Sequence, residues 1–416
     1  MQIKPASFAF TLLLGFLAAV PYSGIDINLP ALASTGATLG ASPSDVGLTM
    51  SAFMLSLAAA PLIYGPVSDR FGRKPVVVFG VALFAIASLA CAVAQSLLVL
   101  LICRFVQGVG AASTAMTFAI IHDLFDETTA RARIANVVVA INVVTVISPT
   151  AGAELLTLGS WRLIYATQAG IGVILLLAVV FGFAESARID SVERMVPAVV
   201  VRSYLRVLAH PLSLAYIMVG AAGGATVFAY VTGSSLFFIS VQGLRPDRYG
   251  LIFSACSAAV MSGALLDSRV GRNGISPAQV QVIGLALIAA TSTALLVITL
   301  AGWTPPSLVA ALLMAVALAF GMTMPNVMNA TMRPLPDIAG TVGAAAGSIQ
   351  MTAGAVASGL VSALFDGKSA LSMAAVMAAC SLLGLIAYWL LARPAERRIH
   401  SQEVKVPAAI EEAMHS

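Results

Sequence analysis

The 416-residue chain is poor in charge, histidine and cysteine. Only 10% of its residues are Asp, Glu, Lys or Arg, against roughly 25% in soluble domains, which excludes a soluble globular protein. The four cysteines, Cys91, Cys103, Cys256 and Cys380, all fall inside apolar runs. Nothing in their spacing suggests a metal site or a disulfide framework, so they read as small core residues. There is no Walker loop, no metal-spaced His/Cys cluster and no nucleophile elbow. The histidines, His122, His210, His400 and His415, stand near the ends of apolar runs or in tails. An enzyme is therefore not expected, and neither is a bound cofactor. Without an ATP site, any work must draw on an ion gradient or on the gradient of the substrate itself. No basic tract points to nucleic acid.

What the chain does have is apolar length, with 59% hydrophobic residues arranged in long runs. A bilayer core about 30 Å thick needs roughly 20 apolar residues in a helix, and about twelve runs meet that requirement. They are too long for barrel strands, which need only about 10 alternating residues. The expected spans are Phe8 to Leu29, Val46 to Val67, Pro75 to Ala94, Leu97 to His122, Ile134 to Leu158 and Trp161 to Phe183. Six more follow, at Leu212 to Ile239, Tyr249 to Ser268, Pro277 to Leu300, Ser307 to Thr331, Gly340 to Phe365 and Ala370 to Leu391. Lys4 before the first run imitates a signal peptide, but the run continues to Asp26 and Pro30 without a small-x-small cleavage site, so an uncleaved first helix is expected.

The fold expected is an all-α membrane protein of twelve transmembrane helices. Residues 1–183 form an N-terminal six-helix half, 184–211 a hydrophilic linker, 212–392 a C-terminal half and 393–416 a tail. The linker is marked by Glu185, Arg188, Asp190, Glu193, Arg194, Arg202 and Arg206. Alternating the connections collects most basic residues on the side of the linker and termini. The other side keeps Arg162, Arg245, Arg248 and Lys368, and Arg104 falls within a helix. The positive-inside rule then places both termini in the cytoplasm.

One charged interruption organises the first half. Gly65-Pro66-Val67-Ser68-Asp69-Arg70-Phe71-Gly72-Arg73-Lys74 separates two apolar runs and reads as a short loop, with its glycines permitting a tight reversal. Gly263 to Arg272 echoes it at the corresponding place in the second half, where Arg269-Val270-Gly271-Arg272 matches Arg70-Phe71-Gly72-Arg73 after one inserted residue. Two parallel six-helix repeats are the architecture of alternating-access transporters.

The stretch from Gly65 to Lys74 resembles the signature loop of the major facilitator superfamily. Asp26-Ile27-Asn28-Leu29-Pro30 is similar to the first-helix pattern of the Bcr/CflA branch of drug:proton antiporters, with Asn28 where that branch usually has tyrosine. Arg104-Phe105-Val106-Gln107-Gly108-Val109-Gly110 resembles its fourth-helix motif. Gly321 to Asn326 and Ala339-Gly340 are similar to its tenth and eleventh helices. Two departures bear on transport direction and coupling. Ser148-Pro149-Thr150-Ala151-Gly152-Ala153 keeps only Pro149 and Gly152 of the antiporter-associated fifth-helix motif, and His122-Asp123 stands where Arg-Asp is usual.

Charges inside spans are costly and therefore functional candidates. Asp26 is expected about a turn from the outer end of the first helix, and Arg104 at similar depth in the fourth. If they face one another, a neighbouring cation and a buried setting act in opposite senses on the carboxyl group, leaving it poised for proton coupling. The resemblance places Arg104 in a proton-relay motif. It also implies that Asp69 meets the start of the eleventh helix, with Gly65, Arg70, Gly72 and Arg73 completing a conformational latch. Pro149 and Gly152 are candidates for a kink or an antiporter-like interface. Tyr22, Thr114, Thr117, Tyr230 and Asn326 lie on the helices that line the central cavity in the superfamily.

The function expected is proton-coupled export of small amphipathic or lipophilic compounds across a bacterial inner membrane by a monomer. A metabolite importer or facilitator on the same fold is the alternative, ahead of a non-transporting receptor or scaffold.

Overall fold

A computed structural model describes residues 3–5, 7–182, 184–186, 197–272 and 274–397. Arg188, Asp190, Glu193 and Arg194 of the linker, and Arg398, His400, Lys405 and His415 of the tail, lie outside the described residues. Among the described residues, twelve helices are long and apolar enough to cross a membrane. In the first half they are α1 (Phe8–Leu39), α2 (Pro43–Phe71), α3 (Arg73–Ala92), α4 (Leu97–Leu124), α5 (Glu127–Leu158) and α6 (Trp161–Gly182). A shorter α7 (Pro197–Ala209) lies in the linker. The second half comprises α8 (Pro211–Val241), α9 (Pro246–Arg272), α10 (Pro277–Leu300), α11 (Pro306–Met332), α12 (Pro336–Ala363) and α13 (Leu371–Arg397).

Local sequence explains where these helices start. Ser42 accepts from the Asp45 amide while the Asp45 carboxylate receives the Ser42 amide, a reciprocal cap that opens α2, with Pro43 in the first turn. Ser276, Pro277 and Gln279 repeat the device at α10. Proline suits a first turn because its missing N–H has no helical partner there in any case, and Pro211, Pro246 and Pro306 open α8, α9 and α11 in the same way.

The two halves share one packing order. In the first, α1 packs on α5, α2 on α4, and α3 on both α4 and α6. In the second, α8 packs on α12, α9 on α11, and α10 on both α11 and α13. The halves meet through two crossings, α2 with α12 and α5 with α9. Polar contacts between the halves, at α5–α9 and also between α1 and α8, lie away from the termini. Ser235 Oγ donates to the Leu29 carbonyl at 2.5 Å, and the Thr150 and Ser254 hydroxyls are 2.8 Å apart. A Cβ added at Gly47 would meet the Ser362 hydroxyl. At the other ends of the same helices, a Cβ at Gly65, Gly340 or Gly347 would meet nothing within 4 Å among the described residues.

Three expectations need correction, and the linker gains a helix. The segment Gly65 to Phe71 is helical, forming the last turns of α2, and the reversal is confined to Gly72 at φ +98°. A helix meets its own backbone hydrogen bonds, so charged side chains at a membrane surface do not force it to end. Its echo at Gly263 to Arg272 is helical as well. The linker, expected as a hydrophilic connection, contains α7, whose Val207 is fully buried against Leu335, Val342 and Ala346. Finally, α1 does not stop near Pro30. It passes through a 3-10 turn at Leu29–Ala31 and ends at Gly40 with φ +65°, so Asp26 lies about 20 Å of helix short of that end at roughly 1.5 Å per residue.

Candidate functional site

The 3-10 turn in α1 creates the first element of the site. In a continuing α-helix the Asn28 amide would reach the Gly24 carbonyl, but here it turns to the Ile25 carbonyl at 3.4 Å. Gly24 is left with a free acceptor in a buried place, and two side chains take it. Asn28 Nδ2 donates at 2.9 Å and Arg104 Nη1 at 3.0 Å. Asn28, the departure from the branch pattern, thus supplies one of the two donors.

Arg104 is fully buried in α4. Its guanidinium lies 4.1 Å from the centre of the Phe53 ring, a cation–π arrangement. Nη1 also donates to Gln107 Oε1 at 2.7 Å, and Gln107 Nε2 reaches Ser88 Oγ at 2.7 Å and Gln168 Oε1 at 2.6 Å. One polar chain therefore ties together α1, α4, α3 and α6. Arg104 Nε has no hydrogen-bond partner among the described residues.

Asp26 is not part of that chain. The guanidinium of Arg104 engages the backbone two residues before Asp26, and neither group forms an ion pair among the described residues. The expected facing pair is thus replaced by a carboxylate and a cation placed at one level of α1 and held apart. The Asp26 side chain is 6% exposed and accepts no hydrogen bond among the described residues. Within its electrostatic reach are the phenols of Tyr22, one turn earlier, and of Tyr230 and Tyr249 from the second half. Tyr249 is anchored by a 3.1 Å contact with the Ser234 hydroxyl, and Tyr230 stacks on Phe253 with ring centres 5.8 Å apart.

The second cluster lies at the α2–α3 reversal. Arg73 pairs with Asp69 one turn earlier, reaches Asp123 of α4 through Nε at 3.1 Å and donates to Ser68 Oγ at 2.5 Å. The Glu185 carboxylate receives the Arg73 and Lys74 amides at 2.8 and 3.1 Å, capping the N-terminus of α3. Gly72 is required twice over, by its positive φ and because a Cβ there would strike that carboxylate. Arg70 is exposed and forms no ion pair among the described residues. Asp69 is held within its own half by Arg73, so the contact expected with the start of α12 is not made in this conformation.

The sequence profile described as Major Facilitator Superfamily matches residues 11–358. The chain belongs to the major facilitator superfamily. A bicyclomycin resistance protein homolog from Haemophilus influenzae is 26% identical over 401 residues, covering 94% of this chain and 98% of that protein. The multidrug resistance protein MdtL from Escherichia coli is 28% identical over 242 residues, covering 58% of this chain and 61% of its own. Among solved structures, the D-xylose-proton symporter superposes with a TM-score of 0.74 at 16% identity, over 92% of this chain and 98% of that one, a likeness of fold alone. The protein is a multi-pass membrane protein of a transporter superfamily, similar to a bicyclomycin resistance homolog, and not an enzyme.

Within this superfamily frame the remaining expected residues separate. Tyr22 is 39% exposed. Thr114 and Thr117 are buried, and Thr114 Oγ1 donates to the Ala111 carbonyl of its own helix. Asn326 does not stand free in a cavity, because its Nδ2 donates to Asp267 Oδ1 at 2.8 Å and to the Met322 carbonyl at 3.1 Å. Gly152 is a contact point of helices, since a Cβ there would lie 2.0 Å from the Ile27 carbonyl. The Pro149 carbonyl faces Gly250 of α9, which puts the residual fifth-helix motif at a joint between halves. Sequence reading missed Gln168 and Ser88 in the Arg104 chain, Tyr249 beside Asp26, and Glu185 as a cap. Glu185 was visible as the first charge after the sixth span, but nothing local shows that it folds back onto α3.

Proposed function

We propose that this chain is a proton-coupled antiporter that exports small amphipathic or lipophilic compounds across a bacterial inner membrane, with both termini in the cytoplasm. The observation that carries the reading is Asp26, a nearly buried carboxylate without an ion-pair or hydrogen-bond partner among the described residues, with the phenols of Tyr22, Tyr230 and Tyr249 within its electrostatic reach. A lone carboxylate in such a place is costly to keep ionised, which suits a group that changes protonation state during the cycle. Arg104 holds the backbone beside it and sets the local potential without neutralising it. Phenol rings and Phe253 offer an apolar, weakly polar wall suited to lipophilic compounds. The names of relatives at 26% and 28% identity, bicyclomycin resistance and multidrug resistance, support export as the direction.

The cycle follows from the two faces. Contacts between the halves are found away from the termini, and at the α2 and α12 ends on the terminal face a Cβ at Gly65, Gly340 or Gly347 would meet nothing within 4 Å among the described residues. With the termini in the cytoplasm this is the state open to the cytoplasm. Substrate entering from that side meets protonated Asp26 and expels its proton to cytoplasmic water. The halves then close on the cytoplasmic face, where Asp69 exchanges Arg73 for the N-terminus of α12, favoured by the helix dipole. Reprotonation from outside releases the substrate. The cycle needs no cofactor beyond the proton gradient, and one chain is sufficient.

The test is substrate-induced proton release from the purified protein in detergent, read beside export in cells. Asp26→Asn is expected to abolish both proton release and uphill export while protein levels stay normal. Undiminished export by the variant would remove Asp26 from the mechanism, and wild-type protein that binds substrate without releasing protons would exclude antiport.

A further inference from the structure

On the outside of the second half, away from Asp26, a groove of about 590 Å³ runs between the start of α10 and the end of α13. Its apolar floor is formed by Ile275 and Ile283 together with Trp389, all well exposed. Its rim carries Arg393, Glu396 and Arg397. The charges are sorted by their contacts. Glu396 receives the Tyr216 hydroxyl at 2.5 Å, which turns its carboxylate toward the helix bundle. Arg393 lies 4.1 Å above the centre of the Trp389 ring, and neither arginine forms an ion pair among the described residues. The helix between these groups leaves α-geometry for a π-helical stretch at Tyr388–Ala392, a local feature that often accompanies function.

We propose that this groove binds an anionic phospholipid of the leaflet on the side of the termini, with its phosphate between Arg393 and Arg397 and an acyl chain along Ile283 and Trp389. Two features favour a lipid over a soluble anion. The basic rim sits at the end of two spans beside a tryptophan, the depth at which headgroups lie. The floor continues into lipid-facing apolar surface, and a free phosphate would leave that surface uncovered. Arginine suits the rim because its planar donors match phosphate oxygens two at a time. Bound there, the lipid would bridge α10 and α13, two helices of the same half.

The experiment is native mass spectrometry of the full-length protein, purified from detergent with equal amounts of phosphatidylglycerol and phosphatidylcholine. Wild type is expected to retain phosphatidylglycerol selectively. Arg393→Gln with Arg397→Gln should weaken that retention roughly 30-fold, at about a factor of five per basic residue. Replacing both by lysine should preserve much of it. Arg131→Gln with Arg202→Gln removes two positive charges elsewhere and should change nothing. Equal retention by the Arg393/Arg397 glutamine variant, an equal loss in the control pair, or equal retention of phosphatidylcholine would overturn the proposal. So would displacement of the lipid by millimolar inorganic phosphate. If the glutamine variant does not fold, the competition between the two lipids on wild type decides the question by itself.

Discussion

The two halves of this chain repeat the same order of helix packing and yet carry different chemistry. In the first half, ionisable groups reach the middle of the bundle, with Asp26 in α1 and Arg104 in α4. In the second, the charged residues lie toward helix ends, and the inner wall is neutral and aromatic, with Tyr230, Tyr249 and Phe253. The contrast recurs at the terminal face. Arg73 joins α2 to α4 through Asp69, Asp123 and Ser68, whereas Asp267 and Asn326 join α9 to α11 with one neutral donor. Duplication preserves the helix crossings because they depend on volume and backbone approach. Charge placement is free to diverge, and here it has gathered on one side of the transport path.

The largest effect that would sharpen this comparison is expected at Arg104. Arg104→Ala leaves Gln107 Oε1 without its donor and a void against Phe53, a combined cost of about 3 to 5 kcal/mol. Arg104→Met keeps most of the volume and removes a buried cation, so its stability should stay closer to wild type. Thermal unfolding in detergent measures both. If the methionine variant is as unstable as the alanine variant, the polar chain and not the filled volume holds the first half together. If the two differ little from wild type, the first half does not depend on its charge at all.

Next in size is a pair of matched glycines. Gly108 of α4 and Gly321 of α11 are both fourth helices of their halves, and each lies against the second helix. A Cβ at Gly108 would first meet the Ser56 hydroxyl and then the Phe53 carbonyl at 2.5 Å, whereas one at Gly321 would meet only the Val260 backbone, beginning with its carbonyl at 2.0 Å. A hydroxyl can rotate away, but a helix carbonyl cannot. Gly321→Ala is therefore expected to cost more than Gly108→Ala, with both in the range of about 1 to 3 kcal/mol. The reverse order in thermal unfolding would mean that the first half is the more tightly packed of the two.

At the terminal face, Arg73→Ala removes a donor shared by three groups and is expected to cost roughly 2 kcal/mol, against about 1 kcal/mol for Asn326→Ala. Hydrogen exchange at the ends of α2 and α9 would read the two effects separately. Equal opening at both places would mean that the neutral joint is as strong as the charged one.

How far the sequence discloses all this differs by kind of contact. Spans, repeat and family were legible because they rest on composition and on motifs contiguous in the chain. Asp26, Arg104 and the Asp69–Arg73 segment stand out for the same reason, as charges in apolar surroundings. The partner of Arg104 was not legible, because it is a backbone carbonyl freed by a 3-10 turn that no residue pattern announces. Gln168, Ser88 and Tyr249 are ordinary polar residues in apolar helices until packing brings them to the site. The segment Gly65 to Phe71 misled because charge was taken as a sign of loop, although a helix end at the membrane surface accommodates charge equally well. Asn326 lies on a helix expected to line the cavity, but its engagement with Asp267 across α9 and α11 is a tertiary fact.

The smallest effect concerns two connections, one in each half and at different places in the repeat, that are held by the same kind of turn. Asp126 accepts from the Thr129 amide before α5, and Asp366 accepts from the Lys368 and Ser369 amides before α13. Both carboxyl groups are held below the usual carboxylate range, Asp126 chiefly by its bond with Thr129 and Asp366 chiefly by the Lys368 amide. A carboxyl group whose folded pKa is depressed contributes stability above its unfolded value, near 4, and loses it as pH falls through the lower folded value. Between pH 5 and 8 neither turn should respond to pH, and below about pH 4 both should loosen. Local hydrogen exchange at Ser369 and Thr129, compared with Asp366→Ala and Asp126→Ala, checks this. The alanine variants should exchange at neutral pH as the wild type does only in acid. If the wild-type amides open already at pH 6, the carboxylates are not what holds these turns, and the likeness between the two connections is one of sequence alone.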